Sequence, residues 1–170
     1  MRGEGNIRKL KSALNPQGTV QYTWSSKDIL DPLEDFEVNA AVGQDIRIEH
    51  LGKIHCTVSG KSIRKTYGDG MSFDAFRSSP LAVESIIRPE LSRIHEGVAL
   101  RDAAWEEAHH NQPHVVYLSY TGGIKVGVTR TTQIPYRWID QGASGAILLA
   151  ETPYRQLAGL IEVAMKAHFA

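Results

Sequence analysis

The sequence VVYLSYTGGIKVGVTR, residues 115–130, decides how the C-terminal part of the chain folds. Residues 115–120 are β-branched and aromatic, which is typical of a strand. Gly122 and Gly123 then supply the positive φ angles that a tight hairpin turn requires. Apolar and polar side chains alternate over residues 124–129, so this segment is predicted to return as a second strand.

The residues after the hairpin predict a helix, a third strand and a second helix. Pro135 suits the first turn of a helix that ends near Gln141. Residues 146–150 form a continuous apolar run, short enough for a buried strand. Thr152 and Pro153 are typical of a helix start. The last segment carries an apolar stripe made of Leu157, Leu160, Ile161, Ala164 and Met165.

This β-β-α-β-α order, with a few residues at set positions, resembles the GIY-YIG nuclease domain over residues 114–168. The tripeptide VVY at 115–117 stands where the first motif of that family lies. The tripeptide KVG at 125–127 stands where the second motif lies, with Lys125 in the tyrosine position. The family's basic residues and its metal-binding glutamate are matched by Arg130, Arg137 and Glu162.

The resemblance implies a Mg²⁺-dependent endonuclease that hydrolyses phosphodiester bonds in DNA or RNA. Such hydrolysis needs a base for water, a cation for the developing charge and a stabilised leaving oxygen. The resemblance gives the task of orienting or deprotonating water to Tyr117, whose phenol has an ordinary pKa of about 10 and so needs nearby cations. The implied catalytic residues are Tyr117, Arg130, Arg137 and Glu162, with Glu162 as the ligand for Mg²⁺.

Contacts to nucleic acid are expected from the same surface. Arginine grips phosphate bidentately, and a lysine on the hairpin can also reach it. Tyr136 and Trp138 flank Arg137, so one of them can stack on a base while the other packs inward. The predicted nucleic-acid-binding residues are Lys125, Arg130, Arg137 and Trp138.

Each of these residues also has an ordinary structural interpretation. Tyr117 can be a strand aromatic with its hydroxyl at the surface. Arg137 can pair with Asp140, and Glu162 with Lys166, as solvated charges on a helix. A second function class therefore stays open, a non-catalytic nucleic-acid-binding or protein-interaction module on the same scaffold. A purely structural partner protein is a third.

A wider resemblance spans most of the chain. The segments RPELSRIHEG, RDAAWEEAHH and RWIDQGA, together with the hairpin, are similar to an uncharacterised bacterial protein family with a cysteine-rich front half. Relatives carry Cys-x-x-Cys pairs at residues 56–59 and 72–75, a spacing that can close a tetrahedral zinc site. Here Cys56 alone remains of those four. The front half is therefore interpreted as a degenerate zinc ribbon, and no zinc is expected.

A second metal hypothesis concerns the histidines. Glu106 and His110 lie four residues apart on a predicted helix, so their side chains share a face and can hold one ion. The alternative is a polar helix end with a histidine near the C-terminal dipole, and this is the favoured interpretation.

Composition sets limits on the function. The 170 residues can bury one good core, and no apolar run approaches the roughly 20 residues of a membrane span. The formal net charge is zero, so affinity for nucleic acid must come from a local patch. The single cysteine excludes an internal disulfide and fits the reducing cytoplasm.

The predicted fold class is α+β, with two regions: an N-terminal antiparallel β-rich region with a helical linker at 1–112 and the β-β-α-β-α domain at 113–170. The first should hold strands near residues 19–24, 36–42, 44–51, 54–58 and 62–67, with a flexible start over 1–18 and an acidic turn over 28–37. Helices are predicted near residues 80–87 and 100–111. The last helix reaches Ala170 without a cap, and the bacterial family continues past it, so the chain is a candidate fragment.

Overall fold

The computed structural model describes residues 5–27 and 35–169, and the chain divides into two compact units, Met1–Arg77 and Ser78–Ala170. Residues 78–112 thus group with the second unit, whereas the sequence suggested a boundary after residue 112. A mixed helix and strand class with small antiparallel sheets is confirmed. No helix in the described residues is long and apolar enough to cross a membrane.

In the described residues of the first unit, three small antiparallel sheets are present. β1 (Asn6–Ile7) pairs with β4 (Ser26–Lys27), and β6 (Ile54–His55) pairs with β7 (Ser62–Ile63). The third sheet has the order β2 (Lys11–Leu14), β3 (Val20–Trp24), β5 (Phe36–Glu37), and helix α1 spans Phe73–Ser78. The predicted strand at 19–24 is present, while those at 36–42, 54–58 and 62–67 are each reduced to two residues.

Two predictions for this unit are wrong. Residues 44–51 form no strand. Ile46 and Ile48 are 60% and 62% exposed, so the apolar side of this alternating pattern does not pack against a core. Strands also occur within residues 6–14, where a flexible start was expected. Of the acidic turn over 28–37, residues 28–34 lie outside the described residues, as does the helix end at Ala170.

The second unit centres on one antiparallel sheet. Its order is β10 (Gly145–Thr152), β8 (His114–Tyr120), β9 (Ile124–Arg130), with β8 in the middle. Tyr117 lies opposite Gly127 on one side and Leu148 on the other. Helices α3 (Tyr136–Asp140) and α4 (Arg155–Phe169) follow β9 and β10, respectively. The strands and helices predicted for residues 114–168 are all present.

The segment before the sheet differs from the prediction. Instead of a helix at 80–87 there are 3-10 turns at Pro80–Ala82, Glu84–Ile86 and Pro89–Leu91. Ser79 caps the first turn, because its Oγ accepts the N–H of Leu81 at 3.2 Å. Helix α4 packs closely on the last turn: a Cβ at Gly159 would lie 2.3 Å from the backbone nitrogen of Glu90. This contact fixes which face of α4 packs on the 3-10 turn.

Helix α2 (Ala103–His110) is shorter than the predicted 100–111 and is capped by Asp102, whose side chain accepts the N–H of Trp105 at 2.9 Å. Glu106 is fully buried, and its carboxylate accepts the N–H groups of Leu100, Arg101 and Asp102 at 2.7 to 3.1 Å. A buried carboxylate needs such donors. Glu106 therefore organises the loop that enters α2.

Candidate functional site

A cleft of about 490 Å³ opens in the second unit, and we call it the arginine cleft. One part is polar and is formed by residues of β8, β9, α3 and α4. The polar lining includes Tyr117, Arg130, Arg137, Gln141, Arg155 and Glu162. The other part is apolar and aromatic and includes Ile86, Ile87, Pro89, Trp105 and His109. Of the predicted catalytic residues, all four therefore line one cleft.

Tyr117 is held on three sides. Its hydroxyl donates a hydrogen bond to Gln141 Oε1 at 2.8 Å, and its ring meets the Trp138 ring edge-on at 5.9 Å between centroids. The ring also lies over Gly127, where a Cβ would be 2.5 Å from Tyr117 Cζ. Glycine at 127 is thus required by the tyrosine opposite it, a close approach typical of glycine in strands.

The environment of Tyr117 sets its protonation state. Burial raises the pKa of its phenol above the ordinary value, although the Arg137 guanidinium acts to lower it. A buried phenol that donates to Gln141 stays protonated at neutral pH. Tyr117 is therefore suited to donating a hydrogen bond, and unsuited to taking a proton from water.

Three guanidinium groups line the polar part. Within residues 5–27 and 35–169, neither Arg130 nor Arg137 forms an ion pair. Arg155 donates from Nε and Nη2 to the carbonyls of Ser85 and Ile86, each at 2.8 Å. Burial lowers the pKa of Arg155 to about 10, with Glu162 opposing the shift, so it keeps its charge at neutral pH.

Glu162 both lines the cleft, as a metal ligand would, and pairs with Lys166, as in its ordinary structural interpretation. Its side chain is 11% exposed and lines the cleft, and one carboxylate oxygen lies 3.4 Å from Lys166 Nζ. Among the described residues that line the cleft it is the single carboxylate. No group of three or more His, Cys, Asp or Glu side chains gathers to hold a metal in the described part of the chain. Glu162 can therefore offer one protein ligand.

Burial keeps the two histidines His110 and His114 uncharged. Burial, followed by Arg155, lowers the pKa of His110 to about 3. Burial also lowers the pKa of His114 to about 4, although its hydrogen bond to the Gln112 carbonyl opposes this. Both rings are neutral at neutral pH. Because Glu106 is committed to backbone N–H groups, it does not share an ion with His110 in this arrangement.

Two predicted nucleic-acid-binding residues lie elsewhere. Lys125 is exposed on β9 and is not among the cleft-lining residues. Trp138 packs against Tyr117 with its Nε1 buried, while Tyr136 is 43% exposed beside Arg137. Tyr136 is thus the outward aromatic of the pair. Sequence reasoning missed Arg155, although its position seven residues before Glu162 puts both side chains on one face of a helix.

The Cys56 thiol lies buried in a tight turn, where it accepts backbone hydrogen bonds. The Sγ of Cys56 accepts the N–H groups of Ser59 and Ser72 at 3.4 and 3.1 Å, and Ser72 Oγ accepts the N–H of Ala75 at 3.2 Å. Burial acts to raise the pKa of the Cys56 thiol, but these hydrogen bonds outweigh it and lower the pKa to about 6. The expectation of no zinc stays a prediction.

Comparison with protein families matches residues 43–170 to the family described as "Protein of unknown function (DUF2797)". No GIY-YIG nuclease domain is found, so the resemblance over residues 114–168 is wrong. Tripeptides such as VVY and KVG are too short to distinguish that domain from other antiparallel hairpins. Comparisons with curated proteins and with solved structures gave no match. The family match covers three quarters of the chain, and the chain belongs to the DUF2797 family.

Proposed function

We propose that this protein binds nucleic acid by holding a backbone phosphate in the arginine cleft. One observation carries the proposal. Arg130, Arg137 and Arg155 line the same cleft, and the first two are not in an ion pair within the described residues. With three guanidinium groups and one carboxylate, Glu162, the described lining carries a net positive charge, which favours an anionic ligand.

Phosphate suits this lining better than a simple anion does. Guanidinium groups grip phosphate oxygens in a bidentate, charge-assisted manner. The cleft, at about 490 Å³, is as large as a nucleotide-sized ligand requires. The overall formal charge of zero is compatible with this, since the positive field is local.

The test is binding of a short labelled single strand, measured by fluorescence anisotropy at several salt concentrations. Arg130→Gln and Arg137→Gln should each weaken binding about tenfold and lower the salt slope by about 0.7, the value for one lost phosphate contact on a single strand. Arg93→Gln is the matched control, because Arg93 is exposed, pairs with Glu96 and lies outside the cleft lining. Equal affinity in all three variants would contradict the proposal.

A second candidate function is Mg²⁺-dependent hydrolysis of the bound phosphodiester. The observation that favours it is the buried Glu162 carboxylate in the same cleft, since Mg²⁺ is often held by one or two carboxylates and substrate phosphate. When bound, the ion would supply charge stabilisation to the phosphate. Tyr117 and the arginines would orient the group.

Glu162→Gln separates the two functions. If the cleft only binds, the variant should bind nucleic acid more tightly without metal, because a repelling charge is removed. If it hydrolyses, wild type should cut with Mg²⁺ and the variant should not. Glu151→Gln, on the exposed part of β10, is the control for the charge change. Wild type that leaves single- and double-stranded DNA and RNA uncut with Mg²⁺ or Mn²⁺ removes the second candidate.

A further inference from the structure

We infer that the apolar part of the arginine cleft receives an unpaired nucleobase, so that the ligand is single-stranded nucleic acid or a base turned out of a duplex. This inference rests on the proposed function and specifies its substrate class. It depends on the apolar wall, the aromatic pair beside it, and the position of Arg155 between these and the phosphate-binding part.

The apolar wall consists of Ile86, Ile87 and Pro89. Ile87 is 84% exposed and Ile86 is 36% exposed, whereas Pro89 is buried beneath α4. An isoleucine as exposed as Ile87 contributes little to a core. The tight packing of Gly159 on Pro89 gives this wall a rigid backing. The wall is therefore an apolar surface that faces the cleft from a fixed position.

A flat aromatic pair lies beside that wall. The rings of Trp105 and His109 stack with centroids 4.1 Å apart and planes 10° from parallel. His109 Nδ1 lies 2.8 Å from the carbonyl oxygen of Trp105, which fixes the imidazole orientation. Both residues line the cleft. Stacking on such aromatic surfaces is how proteins hold unpaired bases, with little dependence on sequence.

Arg155 joins the two parts of the cleft. Its guanidinium donates to the carbonyl of Ile86, a residue of the apolar wall, while Arg155 also lines the phosphate-binding part. His110 also lies between the aromatic pair and the arginines. Its ring meets the Trp105 ring edge-on at 5.2 Å, and the charges of Arg155 and Arg130 both act on its pKa. A phosphate held by these arginines thus has its own nucleoside next to the wall.

Duplex nucleic acid cannot use this arrangement. A paired base inside a helix has both faces covered by neighbouring bases, so an aromatic surface reaches it only after it has left the stack. The combination of arginines with an apolar, aromatic wall in one cleft therefore selects strands with accessible bases. A site for phosphate alone would not need Ile87 exposed at its edge.

The experiment compares a short oligothymidylate with an abasic phosphodiester of the same length and charge. Wild type should bind the oligothymidylate about tenfold more tightly, the effect of stacking one base. Ile87→Ser should reduce this ratio toward one. Because Ile87 is exposed, the substitution should leave folding intact. Ile46→Ser, at a 60% exposed isoleucine of the first unit, is the control and should keep the wild-type ratio.

The outcomes separate the two proposals. Equal binding of both oligomers by wild type, with Arg137→Gln still weakening both, overturns the base site and leaves phosphate binding standing. A preference for thymidylate that Ile87→Ser and Trp105→Leu leave unchanged also overturns it, because the base is then bound elsewhere. Tighter binding of a duplex than of the single strand does the same. If neither oligomer binds, the proposed function fails and this inference with it.

Discussion

Replacing Gly159 with alanine would place a methyl group 2.3 Å from the backbone nitrogen of Glu90 and 2.5 Å from the carbonyl carbon of Pro89. Ordinary contacts begin near 3.4 Å, so α4 and the 3-10 turn would have to separate by about 1 Å. The obstacle is backbone, which cannot rotate away as a side chain can. The substitution therefore tests whether α4 packs as closely as described.

Two effects of opposite sign set the magnitude. Alanine favours a helix interior over glycine by about 1 kcal/mol. Overpacking a well-packed contact costs about 1–3 kcal/mol, occasionally more, and a backbone obstacle belongs at the upper end. The net loss in the free energy of unfolding should be about 2 kcal/mol. For a unit of this size that lowers the melting temperature by about 10 °C.

Thermal unfolding followed by circular dichroism provides the measurement. Gly145→Ala is the control, because an added Cβ there meets no atom within 4 Å and the residue is not among the glycines with positive φ. It should change the melting temperature little. If Gly159→Ala melts at or above the wild-type temperature, the gain in helix propensity equals or exceeds the cost of overpacking, and the close packing of α4 on Pro89 is refuted.

Three further predictions concern buried polar groups. Glu106→Gln should lower the free energy of unfolding by about 1–3 kcal/mol in urea titrations, because an amide NH₂ would face backbone N–H donors. Since the folded pKa of Cys56 is lowered from 9.0 to about 6, thiolate stabilisation should be complete above pH 9.0 and lost as the pH falls through about 6. Tyr117→Phe should remove, from an ultraviolet titration, a phenol that ionises above the ordinary tyrosine range.

Each of these three predictions has a control or an outcome that would contradict it. Glu107→Gln, on the exposed side of α2, should cost much less than Glu106→Gln, and equal costs would contradict the role of the buried carboxylate. For Cys56 the comparison is Cys56→Ser; parallel pH profiles for the two proteins would mean that no thiolate stabilises the fold. Loss of a phenol that ionises in the ordinary range would show that Tyr117 is not buried as described.

The second unit could be predicted from sequence because its signals are local. The alternation over residues 124–129, the glycines of the hairpin and the apolar stripe of α4 each report on their own element. The first unit gave weaker signals: Ile46 and Ile48 alternate as in a strand yet are exposed, because alternation does not reveal whether a partner surface exists. The 3-10 turns at residues 80–91 replaced a predicted helix because capping by Ser79 starts one turn but does not propagate it.

The candidate site was predicted only in part. Tyr117, Arg137 and Glu162 were expected to face one surface, and all three line the cleft. The role of Gly127 depends on the residue across the hairpin, so a register is needed before it can be seen. Arg155 and the wall of Ile86 and Ile87 are separated by about 70 residues in the chain, and only the tertiary fold brings them together.

Whether the cleft binds or hydrolyses depends on where a proton can go. A general base works best when its pKa lies near the operating pH. Tyr117 has its pKa raised by burial, and His110 has its pKa lowered to about 3, so the two move away from neutrality in opposite directions. At neutral pH one is a fixed donor and the other a fixed neutral ring. The arginines meanwhile keep their charge. These residues therefore favour binding a phosphate over transferring a proton, and hydrolysis would depend on a Mg²⁺ ion bound by Glu162.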